Sequence, residues 1–300
     1  MKLVVFIKRT FILLLLFFLF DLLISLVLIN GLNRYYGFDQ KPSILINGSS
    51  MAISGFNRAD IESITASHVA AYAQEGVSVS DRYEMINHFF HMFPQGVKTV
   101  VYEVNPVIFS DTKSAENVYT HFFPYMDDKS INNYIKENAG NQEYYIYKII
   151  RTKRFESRVI RLIVQGYLGK YNSVKTNTLD TATMIYMEGQ RGEAEVTLEE
   201  SEIEVFEKTM ELIRSHNTDV ILIMMPMYYL KLQSFNSDGY RELCNYFKDF
   251  SSSHGGIRFI DLNLDSLIYN PDYFSDPLHF NVNGQRQITG IIGRILLMHH

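Results

Sequence analysis

The chain has 300 residues, of which 47% are hydrophobic, 14% aromatic and 20% charged. With only 17 Gly and 7 Pro, that apolar load excludes a fibrous, low-complexity or disordered protein and predicts one large globular domain or two small ones. A single cysteine, Cys244, excludes an internal disulfide framework and a cysteine-rich zinc site, and the net charge of −5 argues against a general nucleic-acid binder.

The first thirty residues carry Lys2, Lys8 and Arg9 against Asp21, so the remainder is more acidic than the whole. From Phe11 to Asn30 every residue is apolar except Asp21, Ser25 and Asn30. Twenty residues at about 1.5 Å each match the hydrocarbon core of a bilayer. The basic cluster lies before this segment, and the positive-inside rule then places the N-terminus in the cytoplasm and the chain from about residue 35 outside. A cleavable signal peptide has an apolar region of only about 7–15 residues ending in a small-x-small site. Here the segment is longer and runs into Asn30-Gly31-Leu32-Asn33-Arg34-Tyr35-Tyr36, so an uncleaved single-pass anchor over residues 1–34 is expected. Asp21 is either tolerated there at about 3 kcal/mol or paired with a polar group of another membrane protein. No second segment approaches eighteen apolar residues, which leaves residues 35–300 as one extracytoplasmic domain.

In that domain short β-branched runs alternate with amphipathic helical patterns, the signature of a parallel sheet covered by helices. Strands are expected at Ser43–Asn47, Val69–Ala73, Lys98–Glu103, Asp219–Met225 and Arg258–Asp261. Thr197 and Glu200 form a capping-box pattern before a helix reaching about His216. A further helix should begin near Asp238 and stop before Gly255-Gly256, and a last one should run from about Val282 to Met298. Residues 111–196 interrupt the alternation and read as an insertion after the third strand. Their stretch Glu143–Leu168 carries Lys148, Arg151, Lys153, Arg154, Arg158 and Arg161, either a solvated helix face or a contact for anionic lipid or polymer.

Two clusters bear chemistry. Asn47-Gly48-Ser49-Ser50 follows the first strand, and Asp276-Pro277-Leu278-His279 precedes the last helix. Sites in open parallel sheets form where strands end at their C-termini. A glycine there permits a tight turn, and a serine after it can be presented at a helix start whose backbone N–H groups face an oxyanion. A serine hydroxyl needs a base to become a nucleophile, and Asp276 could orient His279 for that task. Each motif alone is common.

Together they resemble the SGNH/GDSL hydrolase superfamily over most of residues 43–298 outside the insertion. The resemblance implies a flavodoxin-like three-layer α/β sandwich with a parallel sheet in the order 2-1-3-4-5, preceded here by one transmembrane helix. It implies Ser50 as nucleophile and Asp276 and His279 as its catalytic partners, with Gly76, Asn105 and the Ser50 N–H as oxyanion hole. Asn281-Val282-Asn283-Gly284 matches the usual opening of the following helix. Two positions depart from the pattern. Ser49 replaces the middle Asp of Gly-Asp-Ser, as in the membrane-anchored branch that resembles the D-alanyl transfer protein DltD and polysaccharide-modifying relatives. Glu103 replaces the Gly of Gly-x-Asn, and its carboxylate would either oppose charge at the oxyanion site or point away along the strand.

The remaining candidates carry less. His88 and His91 could share a helix face but lack a third metal ligand nearby, so no metal or cofactor is expected. Ser78 and Ser80 read as loop residues near Gly76, and Cys244 as packing within a helix. The expected function is a membrane-anchored serine esterase or acyltransferase acting on acetyl or D-alanyl esters of cell-surface polysaccharide or teichoic acid. The alternative is a non-catalytic accessory protein of a polymer-modifying or export complex, assembled with a polytopic membrane acyltransferase.

Overall fold

A computed structural model describes residues 2–110, 117–171, 174–182, 184–185, 194–264 and 266–299. In chain order its main elements are α1 (Lys2–Tyr36), β1 (Ile44–Gly48), α2 (Ser50–Gly55), α3 (Arg58–Thr65), β2 (Val69–Ala73), α4 (Val79–Met92) and β3 (Thr99–Val104). They continue with α5 (Lys129–Asn138), α6 (Asn141–Ile149), α7 (Ser157–Tyr167), α8 (Glu200–Ser215), β4 (Asp219–Met224), α9 (Ser237–Ser253), β5 (Ile257–Asp261) and α10 (Val282–His299). The chain divides into two compact units, one of residues 1–39 with 119–170 and the other of residues 40–118 with 171–300.

The second unit holds the sheet. Its five strands pair in parallel in the order β2-β1-β3-β4-β5, with helices on both faces, as the resemblance implies. β1 and β3 are buried at every position, which is why they read as mostly apolar runs, broken by Asn47 and Glu103, and not as alternating ones. On one face α10 packs against α2 and α3; elsewhere α4 packs against α8, whose Phe206 meets Phe247 and Phe250 of α9. The order reverses between β1 and β3, because the chain leaves β1 toward β2 and returns on the other side of β1. Loops after β1 and β3 therefore diverge and leave a crevice at the C-terminal sheet edge.

The first unit joins residues 1–39, which contain the expected 1–34 anchor, with residues 119–170, which lie within the expected insertion. Within it, residues 119–170 pack with the N-terminal helix, α7 lying against α1. Expected insertion residues 111–116, 172–173, 183 and 186–193 lie outside the described residues. From residue 3 to 20 every side chain of α1 is exposed, whereas Asp21, Ser25, Leu32 and Tyr36 are buried at roughly heptad spacing. α1 is long and apolar enough to cross a membrane, by length and composition. Its second half is covered by α7 at close range: a Cβ on Gly166 would collide with the Gly31 carbonyl, so both glycines let the backbones approach.

Asp21 is neither idle nor left for another protein. Its carboxylate accepts the Arg151 and Thr152 N–H groups at 2.8 and 2.9 Å and the Thr152 hydroxyl at 2.6 Å. Within the basic stretch, Arg151 and Arg154 pair with Asp127, which removes both from a purely solvated face.

Smaller readings also shift. The Thr197–Glu200 capping box does not form, because α8 starts at Glu200 with Glu199 as its uncapped N-cap residue. Ser78 is not a loop residue: it caps α4 in a reciprocal capping box with Asp81, and Ser80 lies in the first turn.

Candidate active site

Ser50 is the first residue of α2, directly after β1, and Ser49 is the N-cap, its hydroxyl accepting the Met51 N–H at 3.3 Å. Gly48 ends β1 in a space that admits no side chain. A Cβ there would lie 2.5 Å from the Ala52 Cβ and 2.8 Å from the Glu103 Cβ. That closeness turns the chain sharply from strand to helix and sets the Ser50 hydroxyl at the sheet edge.

The histidine arrives on a turn built by its own neighbours. Asp276 Oδ1 accepts the Leu278 and His279 N–H groups at 3.1 and 3.0 Å, and the Ser275 N–H donates to the His279 carbonyl at 2.9 Å. Phe274 and Phe280 stack beneath the turn with ring centroids 4.8 Å apart. Asn281 then accepts the Asn283 and Gly284 N–H groups and starts α10. Gly284 is required there, because a Cβ would collide with the Tyr273 carbonyl.

These two segments, 229 positions apart in sequence, meet with Ser50 Oγ 2.8 Å from His279 Nε2. Asp276 Oδ1 lies 2.8 Å from His279 Nδ1. Burial opposes the Asp276 charge, but the bonds from the His279 ring and from the Leu278 and His279 N–H groups outweigh it and draw its pKa down to about 2. An ionised carboxylate only accepts, so Nδ1 carries the proton and Nε2 is left to accept from Ser50. The Lys175 ammonium lies 3.4 Å from the other Asp276 oxygen. A cleft of about 410 Å³ opens over these groups, and Ile53, Ser54, Glu75, Val174 and Phe280 complete much of its wall.

The other sequence candidates separate. Gly76 follows Glu75 in the β2–α4 loop with φ of +72°, a conformation that favours glycine. Asn105 follows β3; its side-chain amide donates to Glu103 Oε1 at 3.0 Å and its oxygen accepts the Val107 N–H. Glu103 is fully buried, is not part of the cleft wall, and accepts the Ser49 N–H at 2.8 Å. Of the two sequence options for Glu103, its carboxylate thus faces the backbone of the serine turn. His88 is buried against the Tyr72 hydroxyl at 3.2 Å while His91 is exposed, so the two do not converge. Among the described residues no cluster of three potential metal ligands occurs. Cys244 is buried in α9 beside Asp261, which with burial raises its thiol pKa to about 11 and keeps it unreactive. Sequence reasoning missed Lys175 and Arg82. Neither belongs to a local motif, and only the fold brings them to this region.

No curated protein matches the sequence. Among solved structures, the chain is similar to the C-terminal catalytic domain of peptidoglycan O-acetyltransferase A from Streptococcus pneumoniae, at 11% identity, TM-score 0.38, and 85% and 93% coverage of the two chains. A protein provisionally named an acylhydrolase from Bacteroides fragilis aligns at 12% identity and TM-score 0.42, covering 84% of this chain and 85% of that one. One provisionally named a platelet activating factor from Streptococcus pneumoniae aligns at 10% identity and TM-score 0.40, covering 96% and 99%. Likenesses of that size carry no assignment of activity. A family model that bears no descriptive name matches residues 145–298, just over half of the chain, and the chain belongs to that family.

Proposed function

We propose that the protein is a serine esterase or acyltransferase whose nucleophile is Ser50. The observation that carries this reading is the relay Ser50–His279–Asp276, with both links at 2.8 Å. Ser50 Oγ attacks the ester carbonyl while His279 Nε2 takes its proton, and the Asp276 charge stabilises the imidazolium that results. The tetrahedral oxyanion is received by N–H donors, for which the Ser50 N–H, Gly76 and Asn105 are the candidates. One such donor is worth roughly 3–4 kcal/mol to a transition state. Collapse breaks the ester bond, and His279 returns the proton to the departing alcohol. Water or a second alcohol then attacks the acyl-serine with His279 Nε2 taking its proton, and collapse breaks the acyl–Ser50 bond as His279 returns that proton to Ser50 Oγ.

The environment of the site follows from α1. The exposed apolar positions from residue 11 to 20 call for lipid around them, and the bonds of Asp21 to Arg151 and Thr152 favour an uncleaved helix. With Lys8 and Arg9 on the cytoplasmic side, the catalytic unit faces the cell exterior as a single-pass membrane protein. The substrate class read from the resemblance and this location is an acetyl or D-alanyl ester of a surface polysaccharide or teichoic acid, with a polytopic acyltransferase as partner.

A fluorophosphonate probe on the full-length protein in detergent tests the nucleophile. Wild type should label at Ser50, and Ser50→Ala should not. Ser49→Ala removes a helix cap worth about 1 kcal/mol but leaves the nucleophile, and should still label. Equal labelling of Ser50→Ala would overturn the assignment and favour the accessory role.

A further inference from the structure

Beneath the serine turn lies a buried ion pair that the relay itself does not use. Arg82, on α4, is 2% exposed and Glu103, on β3, is 0% exposed, a combination that persists only when both charges are well partnered. Arg82 Nε and Nη2 donate to the side-chain and backbone oxygens of Asn47 at 3.0 and 3.3 Å. Its guanidinium lies 3.6 Å from the Tyr102 ring centroid, and Nη1 is 3.8 Å from Glu103 Oε2. Glu103 in turn commits both oxygens. Oε2 accepts the N–H of Ser49, and Oε1 accepts the side-chain amide of Asn105.

Between them, the two side chains grip Asn47 near the end of β1, Ser49 at the cap of α2, and Asn105 just past β3. Two of these flank Gly48 and the third is an oxyanion candidate. We propose that Arg82 and Glu103 are positioning residues that set the nucleophile Ser50 relative to Asn105, one pair holding both sides of the reacting centre. Glu103 therefore does not repel the oxyanion; its charge is taken up by Arg82 and by two N–H donors. Asn105 gives one amide hydrogen to Glu103, and its second is the one this arrangement assigns to the oxyanion. The carboxylate matters for a reason of chemistry. Both donors it meets are N–H groups, and only a group with two acceptor oxygens satisfies them together. Shape alone is insufficient.

This role rests on Ser50 as nucleophile, and the test separates the two. Full-length wild type, Glu103→Gln and Arg82→Lys are compared in detergent for fluorophosphonate labelling at increasing probe concentration, reading the maximal rate, the half-saturating concentration and the final fraction labelled. Glu103→Gln keeps the shape but turns an NH2 toward one of the two donors. It should slow the maximal rate about 10- to 100-fold, the scale expected for a displaced reacting group. Half-saturation and the fraction finally labelled should stay near wild type. Arg82→Lys should give a smaller loss of the same kind. A purely structural role would instead lower the fraction labelled and leave the rate of the folded fraction unchanged. Backbone hydrogen exchange at Ser49, followed in the peptide that contains it, should accelerate in Glu103→Gln. Wild-type labelling with an unchanged Glu103→Gln rate, or an unchanged Ser49 exchange rate, would overturn the positioning role while leaving Ser50 as nucleophile. A wild-type chain that takes no label would overturn the nucleophile and, with it, the device.

Discussion

The serine turn and the histidine turn meet at one hydrogen bond but differ in where the carboxylate that braces each comes from. In the Asp276–His279 segment the carboxylate that orients the imidazole also accepts two N–H groups from within three residues, with Lys175 and the Tyr228 N–H as added outside partners. The Gly48–Ser50 segment has two local bonds, from the Met51 and Ile53 N–H groups to Ser49, and is held besides by the Gln74 N–H on the Gly48 carbonyl and by Glu103, 54 positions from Ser49, with Arg82 behind it. A turn braced by its own carboxylate is a motif that a sequence can display. A turn braced from other elements exists only once the sheet has formed, and damage to it spreads through the core.

Breaking the histidine turn should have the largest effect on chemistry. Asp276→Asn can offer an amide N–H to the imidazole and so stabilise the wrong tautomer. A labelling rate lower by about 10²- to 10⁴-fold is expected, with a much smaller change in melting temperature. A loss of under tenfold would show that Asp276 does not orient His279.

Breaking the serine turn should reverse that balance. Gly48→Ala places a Cβ 2.5 Å from the Ala52 Cβ and 2.8 Å from the Glu103 Cβ, both in a packed interior. Overpacking of this kind costs about 1–3 kcal/mol, so the denaturant midpoint should fall together with labelling. Unaltered stability would mean that the elbow yields easily, and the contrast between the two turns would disappear.

Acid should produce the smallest difference. The folded pKa of Asp276, about 2, lies below the roughly 3.9 of an unfolded aspartate. Its ionised form is therefore favoured by folding: the contribution is complete above about pH 4 and is lost as the pH falls toward 2. The stability gap between wild type and Asp276→Asn should accordingly narrow between about pH 4 and pH 2 in urea titrations. A gap that stays constant would contradict the local origin of the Asp276 shift.

Several features are legible in the amino-acid sequence because short-range physics specifies them. Five apolar, β-branched runs suffice for the strands, whose observed starts at residues 44, 69, 99, 219 and 257 fall within one residue of those expected. The Asp276–His279 spacing and the glycine before Ser49 point to the two turns, since a three-residue offset or a missing Cβ acts locally. The capping pair Thr197–Glu200 marks the limit of local patterns. Its spacing is right, yet Glu199 donates its N–H to the Phe109 carbonyl and the helix begins three residues later than Thr197.

What only the tertiary structure decided are partnerships across long separations. Asp21 reads as a lone acid in an apolar segment, and its partners lie about 130 positions away at Arg151 and Thr152. Glu103 reads as a threat to the oxyanion until the register of β1 and β3 sets it under Ser49, where Arg82 can reach it. A buried charge takes its meaning from whatever desolvates and pairs it, and those groups are assembled by packing. Composition and periodicity specify which segments must be buried; they do not specify which charges will meet inside.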